Sequence, residues 1–201
     1  MFGARAGGPE PAEVPRDEPH PSELDLARLR PAAVLVAVFD ASTVPVEAHV
    51  VLTRRAPTLR SHSHQVAFPG GRIDRGESAW DAARREAFEE VGIPMAAPRV
   101  VRALPALATL AGGSAVEPFL AVLGGPPALI ANPAEVERAF TVSLADLVAD
   151  GCHHEERWDF PDLPDRAIHF FDLPEDVVWG ATARILFALL VRLLGLADPA
   201  D

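Results

Sequence analysis

Three glutamates, Glu86, Glu89 and Glu90, stand at i, i+3 and i+4 in a chain of 201 residues. On a helix this spacing gathers them on one face within a turn, where like charges destabilise. Glu89 and Glu90 also fall near the C-terminal end of such a helix, where the peptide dipoles disfavour negative charge. A hard divalent cation reverses the sign of that cost. Mg2+ takes carboxylate oxygens at about 2.0–2.1 Å and keeps waters and substrate phosphates as its remaining ligands. The plainer explanation is a solvated acidic face, which most carboxylate clusters are. The preceding segment, Gly70-Gly71-Arg72-Ile73-Asp74-Arg75-Gly76-Glu77, shifts the balance toward chemistry. Its three glycines let the backbone turn tightly and come close to a ligand.

The helix that positions these glutamates has clear ends. Ser78 is an N-cap residue and Asp81 stands three positions on, as in a capping box. Gly92 is a stop signal and Pro94 follows it. A helix is expected over residues 79–91, with Trp80, Arg84, Phe88 and Val91 on its apolar face and Ala87 at the edge.

Composition limits the partners. There are 18 basic and 29 acidic residues, a net charge of −11. Non-specific nucleic-acid binding wants a basic surface, so it is not expected. An acidic protein acting on a polyanion needs cations to mediate, which again favours metal. Hydrophobic residues make up 49% of the chain, enough for one globular domain with a full core. The single cysteine, Cys152, suits a reducing compartment. The first residues hold Gly and Pro but no apolar run, so no signal peptide is expected and the location expected is cytoplasmic. The apolar run 185–191 is too short to span a bilayer and is flanked by Arg184 and Arg192.

Residues 1–22 are proline-rich and poor in large apolar groups, and read as a disordered or loosely attached tail. Residues 23–201 read as one domain, beginning with a short helix over 23–29. Strands are expected at 32–39, 49–53 and 66–68, with a mobile basic segment starting at Arg54. Past the central helix, strands are expected at 99–107, 117–123 and 167–171. Helices are expected at 134–140, 144–149 and 178–196, and a polar loop or hairpin at 152–165. Strands on both sides of a central helix, with a closing helix, give a mixed α+β sandwich.

The spacing Gly71, five residues, Glu77, seven residues, Arg85-Glu86-Ala87-Phe88-Glu89-Glu90-Val91-Gly92-Ile93 resembles the Nudix box of hydrolases acting on nucleoside-diphosphate-linked compounds. Every fixed polar and glycine position is filled, and Ala87 is small where an aliphatic residue is usual. The segments Leu52-Thr53-Arg54-Arg55, Leu59-Arg60-Ser61-His62 and Gln65-Val66-Ala67-Phe68-Pro69-Gly70-Gly71 are similar to the added signature of the coenzyme A diphosphatase branch. So are residues 132–136 and 179–183. His64 departs from that signature, which carries glycine there. The resemblance spans roughly residues 30–195. It implies the Nudix fold, a mixed β-sheet sandwiched between α-helices. It also implies Mg2+ or Mn2+ as cofactor and a coenzyme A-like small molecule as substrate. Neither nucleic acid nor membrane is implied as a partner, and a homodimer is the one assembly entertained.

On this resemblance Glu86 and Glu90, one turn apart, are the first-choice metal ligands. Glu89 is a further ligand or holds the attacking water. Arg85 pairs with Glu77 and braces the loop against the helix. Gly70 or Gly71 offers a carbonyl. Arg54, Arg55, Arg60 and His62 form a basic island suited to phosphate oxygens, although surface ion pairing would explain each one singly. A general base outside the box falls to Glu135 or Glu137, and the sequence leaves both open. His153 and His154 read as a solvated loop rather than metal ligands, His169 as packed, and Cys152 as an ordinary thiol. Trp158 reads as core or rim, with adenine stacking as the rival.

Overall fold

A computed structural model describes residue 26 and residues 29–41, 47–59, 63–109, 113–160 and 163–195. The expected N-terminal tail, most of the expected helix at 23–29, and Arg60 and His62 lie outside the described residues. The elements run β1 (Arg30–Asp40), β2 (Ala48–Arg55), β3 (Val66–Ala67), β4 (Gly70–Arg72), α1 (Ala79–Val91), β5 (Arg99–Ala103) and β6 (Leu107–Ala108). Then come β7 (Ser114–Val122), β8 (Val136–Ser143), α2 (Leu144–Leu147), β9 (His153–Phe160), β10 (Leu163–Asp172), β11 (Val177–Val178) and α3 (Gly180–Leu193).

Val/Ala/Leu-rich β1 is the spine. It pairs in parallel with β7 and antiparallel with β2 and β4. Alternation along β1 divides the core in two. Ala33, Leu35, Ala37 and Phe39 pack with Ala82, Ala83, Ala87 and Val91 of α1. Val36 turns the other way, to Ile185, Leu186 and Leu189 of α3 and Phe171 of β10. The result is the expected α+β sandwich, a mixed sheet between helices. A second sheet, β11-β10-β9, stands on the α3 side. None of the described helices is long and apolar enough to cross a membrane.

Several local expectations are corrected. Residues 134–140 are not helical. Asn132 closes a turn, accepting from Ala134 N and Val136 N, and the chain enters β8, which pairs with β2. Helix-favouring residues there yield to the sheet edge they complete. Arg54 and Arg55 are not loop but the end of β2. The strand expected at 99–107 is broken at Leu104, whose N–H goes to Pro118 O. His153 lies in a strand, stacked on Phe187 with its Nε2 3.2 Å from His169 Nδ1. Burial pushes both of these histidines below the ordinary histidine pKa.

The apolar face of α1 also differs from expectation. Phe88 is 53% exposed, and the buried positions are the alanines with Val91 and Glu90. Most of the buried positions on this face carry only a methyl group, with Val91 the one larger apolar side chain. Trp80 packs at the flank on Phe119, with Arg84 above its ring.

Candidate active site

Helix α1 has the expected ends. Ser78 Oγ accepts from Asp81 N, and Gly92, at φ 75°, donates to the carbonyls of Ala87 and Phe88. Two further carbonyls at this end are taken by the incoming chain, Val91 O by Ile130 N and Glu90 O by Asn132 N. Capping the helix in this way delivers Glu135, three residues later, to the glutamate face.

Glu86, Glu90 and Glu135 each bring an oxygen within 4.8 Å of the others. No other trio of metal-binding side chains meets that condition among the described residues. Glu90 is buried. Its Oε2 accepts from Gly70 N at 3.1 Å, and its Oε1 lies 3.8 Å from Arg55 Nη1. Burial pushes the Glu90 carboxyl up to about 7, against the pull of the Gly70 N–H and of Arg55. Glu86 is raised for the same first reason, with Arg85 opposing.

Glu89 turns away from this trio. It is half-exposed and accepts from Arg85 Nη1 at 3.1 Å. Arg85 is the hub of the loop. It grips Glu77 with two parallel hydrogen bonds, Nε–Oε1 at 2.9 Å and Nη2–Oε2 at 3.0 Å. It also donates to Glu86 Oε1 and to Arg72 O. The Arg85 hydrogen bonds hold the Glu77 carboxyl below its usual range, and they raise Arg85 itself. Among the described residues, five carboxylates therefore share two guanidiniums, an arrangement short of positive charge.

The glycines of the loop answer two different needs. A Cβ on Gly71 would lie 2.4 Å from the Glu86 carboxyl carbon. A Cβ on Gly70 would meet backbone, 2.4 Å from Ala33 O and 2.6 Å from Val34 Cα. The loop is also pinned from behind, by Leu35 N donating to Pro69 O at 2.8 Å.

The family model of the NUDIX domain matches residues 29–162. The chain belongs to the Nudix family. It is 37% identical over 145 residues to an uncharacterized Nudix hydrolase, NudL, of Photorhabdus laumondii, covering 70% of this chain and 74% of that one. It is 34% identical to a Klebsiella pneumoniae NudL over 87% of this chain and 88% of that one. Among solved structures, a Nudix hydrolase from M. smegmatis, RenU, aligns with a TM-score of 0.55 at 21% identity, covering 84% of this chain and 88% of that one. A MutT/nudix family protein from Enterococcus faecalis aligns at 0.57 and 18% identity, covering 92% and 66%. These two likenesses concern the fold.

Within this Nudix domain the structure sorts the residues singled out from sequence. It brings together Glu77, Arg85 and Glu86, and it joins Glu86 and Glu90 with Gly70 and Gly71. Glu89 stands apart on Arg85. Arg54 does not join them. Alternation along β2 turns Arg54 to the α3 side, where it lies 3.1 Å from Asp176 and 3.3 Å from Glu137. Arg55, its neighbour, faces the glutamates. Two residues were undervalued by sequence, Glu135 as a member of the carboxylate trio and Arg55 as its guanidinium. The strand alternation of residues 50–55 is the signal that finds Arg55.

Proposed function

We propose that this chain hydrolyses the diphosphate link of a nucleoside diphosphate derivative, with coenzyme A or acyl-coenzyme A as the first-choice substrate. The products of coenzyme A would be 3′,5′-ADP and 4′-phosphopantetheine. The observation that carries the reading is the meeting of Glu86, Glu90 and Glu135 beside a glycine loop. Three converging carboxylates, one of them (Glu90) buried with its nearest guanidinium 3.8 Å away, fit a hard divalent cation. Mg2+ or Mn2+ bound there supplies neutralisation of phosphate charge and acidification of water.

The chain's own residues divide the remaining work. Glu86, Glu90 and Glu135 hold the cation. Glu89 is the helix carboxylate most open to solvent, and it is assigned the proton of the attacking water. The water oxygen bonds to one phosphorus, and the bridging oxygen leaves with the other phosphate. Arg85 and Glu77 keep the loop and helix in register, so that Gly70 N–H holds Glu90 in place. Arg60 and His62 are proposed phosphate contacts, on the resemblance to the coenzyme A diphosphatase branch. Arg54 is withdrawn from that set because its guanidinium faces Asp176. The Leu52–Gly71 signature supports the coenzyme A preference, and the cytoplasm is the location proposed.

The test is a panel of coenzyme A, acetyl-coenzyme A, ADP-ribose, diadenosine tetraphosphate and nucleoside triphosphates with Mg2+ or Mn2+, products read by mass. Cleavage of coenzyme A at the highest kcat/KM is expected. Preference for ADP-ribose, the dinucleotide or a triphosphate would overturn the substrate. Absence of any cleavage would overturn the enzyme reading.

A further inference from the structure

Arg55 makes the loosest charged contact of the glutamate site. Its Nη1 lies 3.8 Å from Glu90 Oε1, beyond hydrogen-bonding range. Its Nε is buried and has no hydrogen-bond partner. Yet its backbone is firmly placed. Arg55 N donates to Gln65 O at 3.0 Å, and its carbonyl accepts from His64 N at 3.1 Å. The contrast with Arg54 is informative. Arg54 Nε also lacks a well-aligned hydrogen bond, but a Glu137 oxygen lies 3.3 Å from it and Asp176 takes its Nη1 at 3.1 Å. Arg55 therefore holds an unspent, desolvated donor beside a carboxylate that it approaches without bonding. An unmade hydrogen bond at a buried donor is costly, so such a group favours any acceptor that arrives.

Glu90 cannot serve two cations equally. Its Oε2 is committed to Gly70 N, and Arg55 faces the other oxygen. We infer that Arg55 is a displaceable counter-ion, neutralising Glu90 when the carboxylate trio is empty and turning to the diphosphate oxygens of the substrate once a divalent cation occupies that trio. A guanidinium fork suits two phosphate oxygens better than one carboxylate oxygen at this distance. The inference rests on the metal-binding reading above and adds a coupling between metal and substrate. The cation frees the arginine that the substrate needs, and linkage makes the effect reciprocal.

The coupling has a signature of opposite signs. Arg55→Gln removes a competitor for Glu90, so Mn2+ alone should bind about fivefold tighter. The same substitution removes a phosphate contact, so α,β-methylene-ADP, measured with Mn2+ saturating, should bind about tenfold or more weakly. Both constants are read by calorimetry, without turnover. Mn2+ affinity that is unchanged or weaker in folded Arg55→Gln overturns the inference. So does unchanged affinity for the nucleotide. Arg55→Lys keeps the charge and loses the fork, which covers the case in which the glutamine variant does not fold. It should hold Mn2+ affinity within about twofold and still lose nucleotide affinity, and full retention of nucleotide affinity overturns the inference. If the wild-type chain binds no Mn2+ at all, the metal-binding reading itself fails, and the counter-ion inference fails with it.

Discussion

Adjacent residues of β2 lead into two clusters of charge on opposite faces of one sheet. On the α3 side, Arg54 and Arg138 share Asp176, one on each carboxylate oxygen. Glu175 and Glu137 close the outer positions, and His64, at φ 60°, reaches Glu137 at 3.4 Å. The α1 side has Arg55 facing Glu90, with Glu86 and Glu135 converging and, among the described residues, only Arg85 to help. In the first cluster each guanidinium lies against two carboxylates, and Asp176 is buried between them. Among the described residues the second has less positive charge, and burial raises the pKa of two of its members, Glu86 and Glu90. The difference teaches how to tell charged glue from a charged site. Glue comes with its counter-ions built in, whereas a site leaves a deficit that a ligand must fill.

The largest expected effect of breaking that contrast is on rate. Glu90→Gln should lower Mg2+-dependent turnover by about a thousandfold, since metal stabilisation of phosphate charge is worth several kcal/mol. Circular dichroism and melting temperature should show the fold intact. On the other face, Asp176→Asn should cost about 3 kcal/mol of stability, because two arginines lose their shared partner. Chemical denaturation reads this. Mn2+ affinity of the surviving folded fraction should not change.

The pH dependence of the metal-free protein sharpens the contrast. The folded-state pKa of Glu90 lies near 7, above its ordinary value near 4.5. Between those two values the folded state binds more protons than the unfolded chain, so stability must fall as pH rises. The fall should amount to about 3 kcal/mol between pH 4.5 and 8, in chelator, and Glu90→Gln should abolish most of it. A melting temperature that climbs over this range in the wild-type chain would contradict the raised pKa of buried Glu90.

The two glycines give a smaller and more selective effect. Gly70→Ala drives a methyl into backbone and should cost about 1–3 kcal/mol of stability. Gly71→Ala meets only the end of a flexible side chain. It should leave stability within about 0.5 kcal/mol while displacing Glu86 and weakening Mn2+ binding. The smallest effect is expected at Phe88. Replacement by Ser should change stability by less than about 1 kcal/mol, because more than half of the side chain is exposed.

Much of α1 was legible because its signals are local. Ser78, Asp81, Gly92 and the glutamate spacing all act within a few residues of the backbone they control. The burial of its faces is not, since size suggests burial and the face against the sheet is built mostly of alanine. Glu135 was legible merely as a candidate base. Its place beside Glu86 and Glu90 depends on Asn132 capping a helix far upstream in the chain. Residues 134–140 were misread because their local preference is helical and their partner, β2, is distant in sequence. Arg54 and Arg55 cannot be separated by a strand that is expected to end at Thr53. One more turn of alternation decides which of them meets the site.

The hydroxyl of Thr182, in the first turn of α3, donates to Val66 O at 3.0 Å. Val66 belongs to the two-residue strand that leads through Phe68 and Pro69 to Gly70. The approach to the glycine loop is thus tied also to a helix on the far side of the sheet. Sequence drift that kept α3 apolar but discarded this hydroxyl would slacken the approach to the loop, and the enzyme would slow before it lost its shape. Position 182 therefore belongs with the site when rates of variants are compared, although the sheet stands between it and the glutamates.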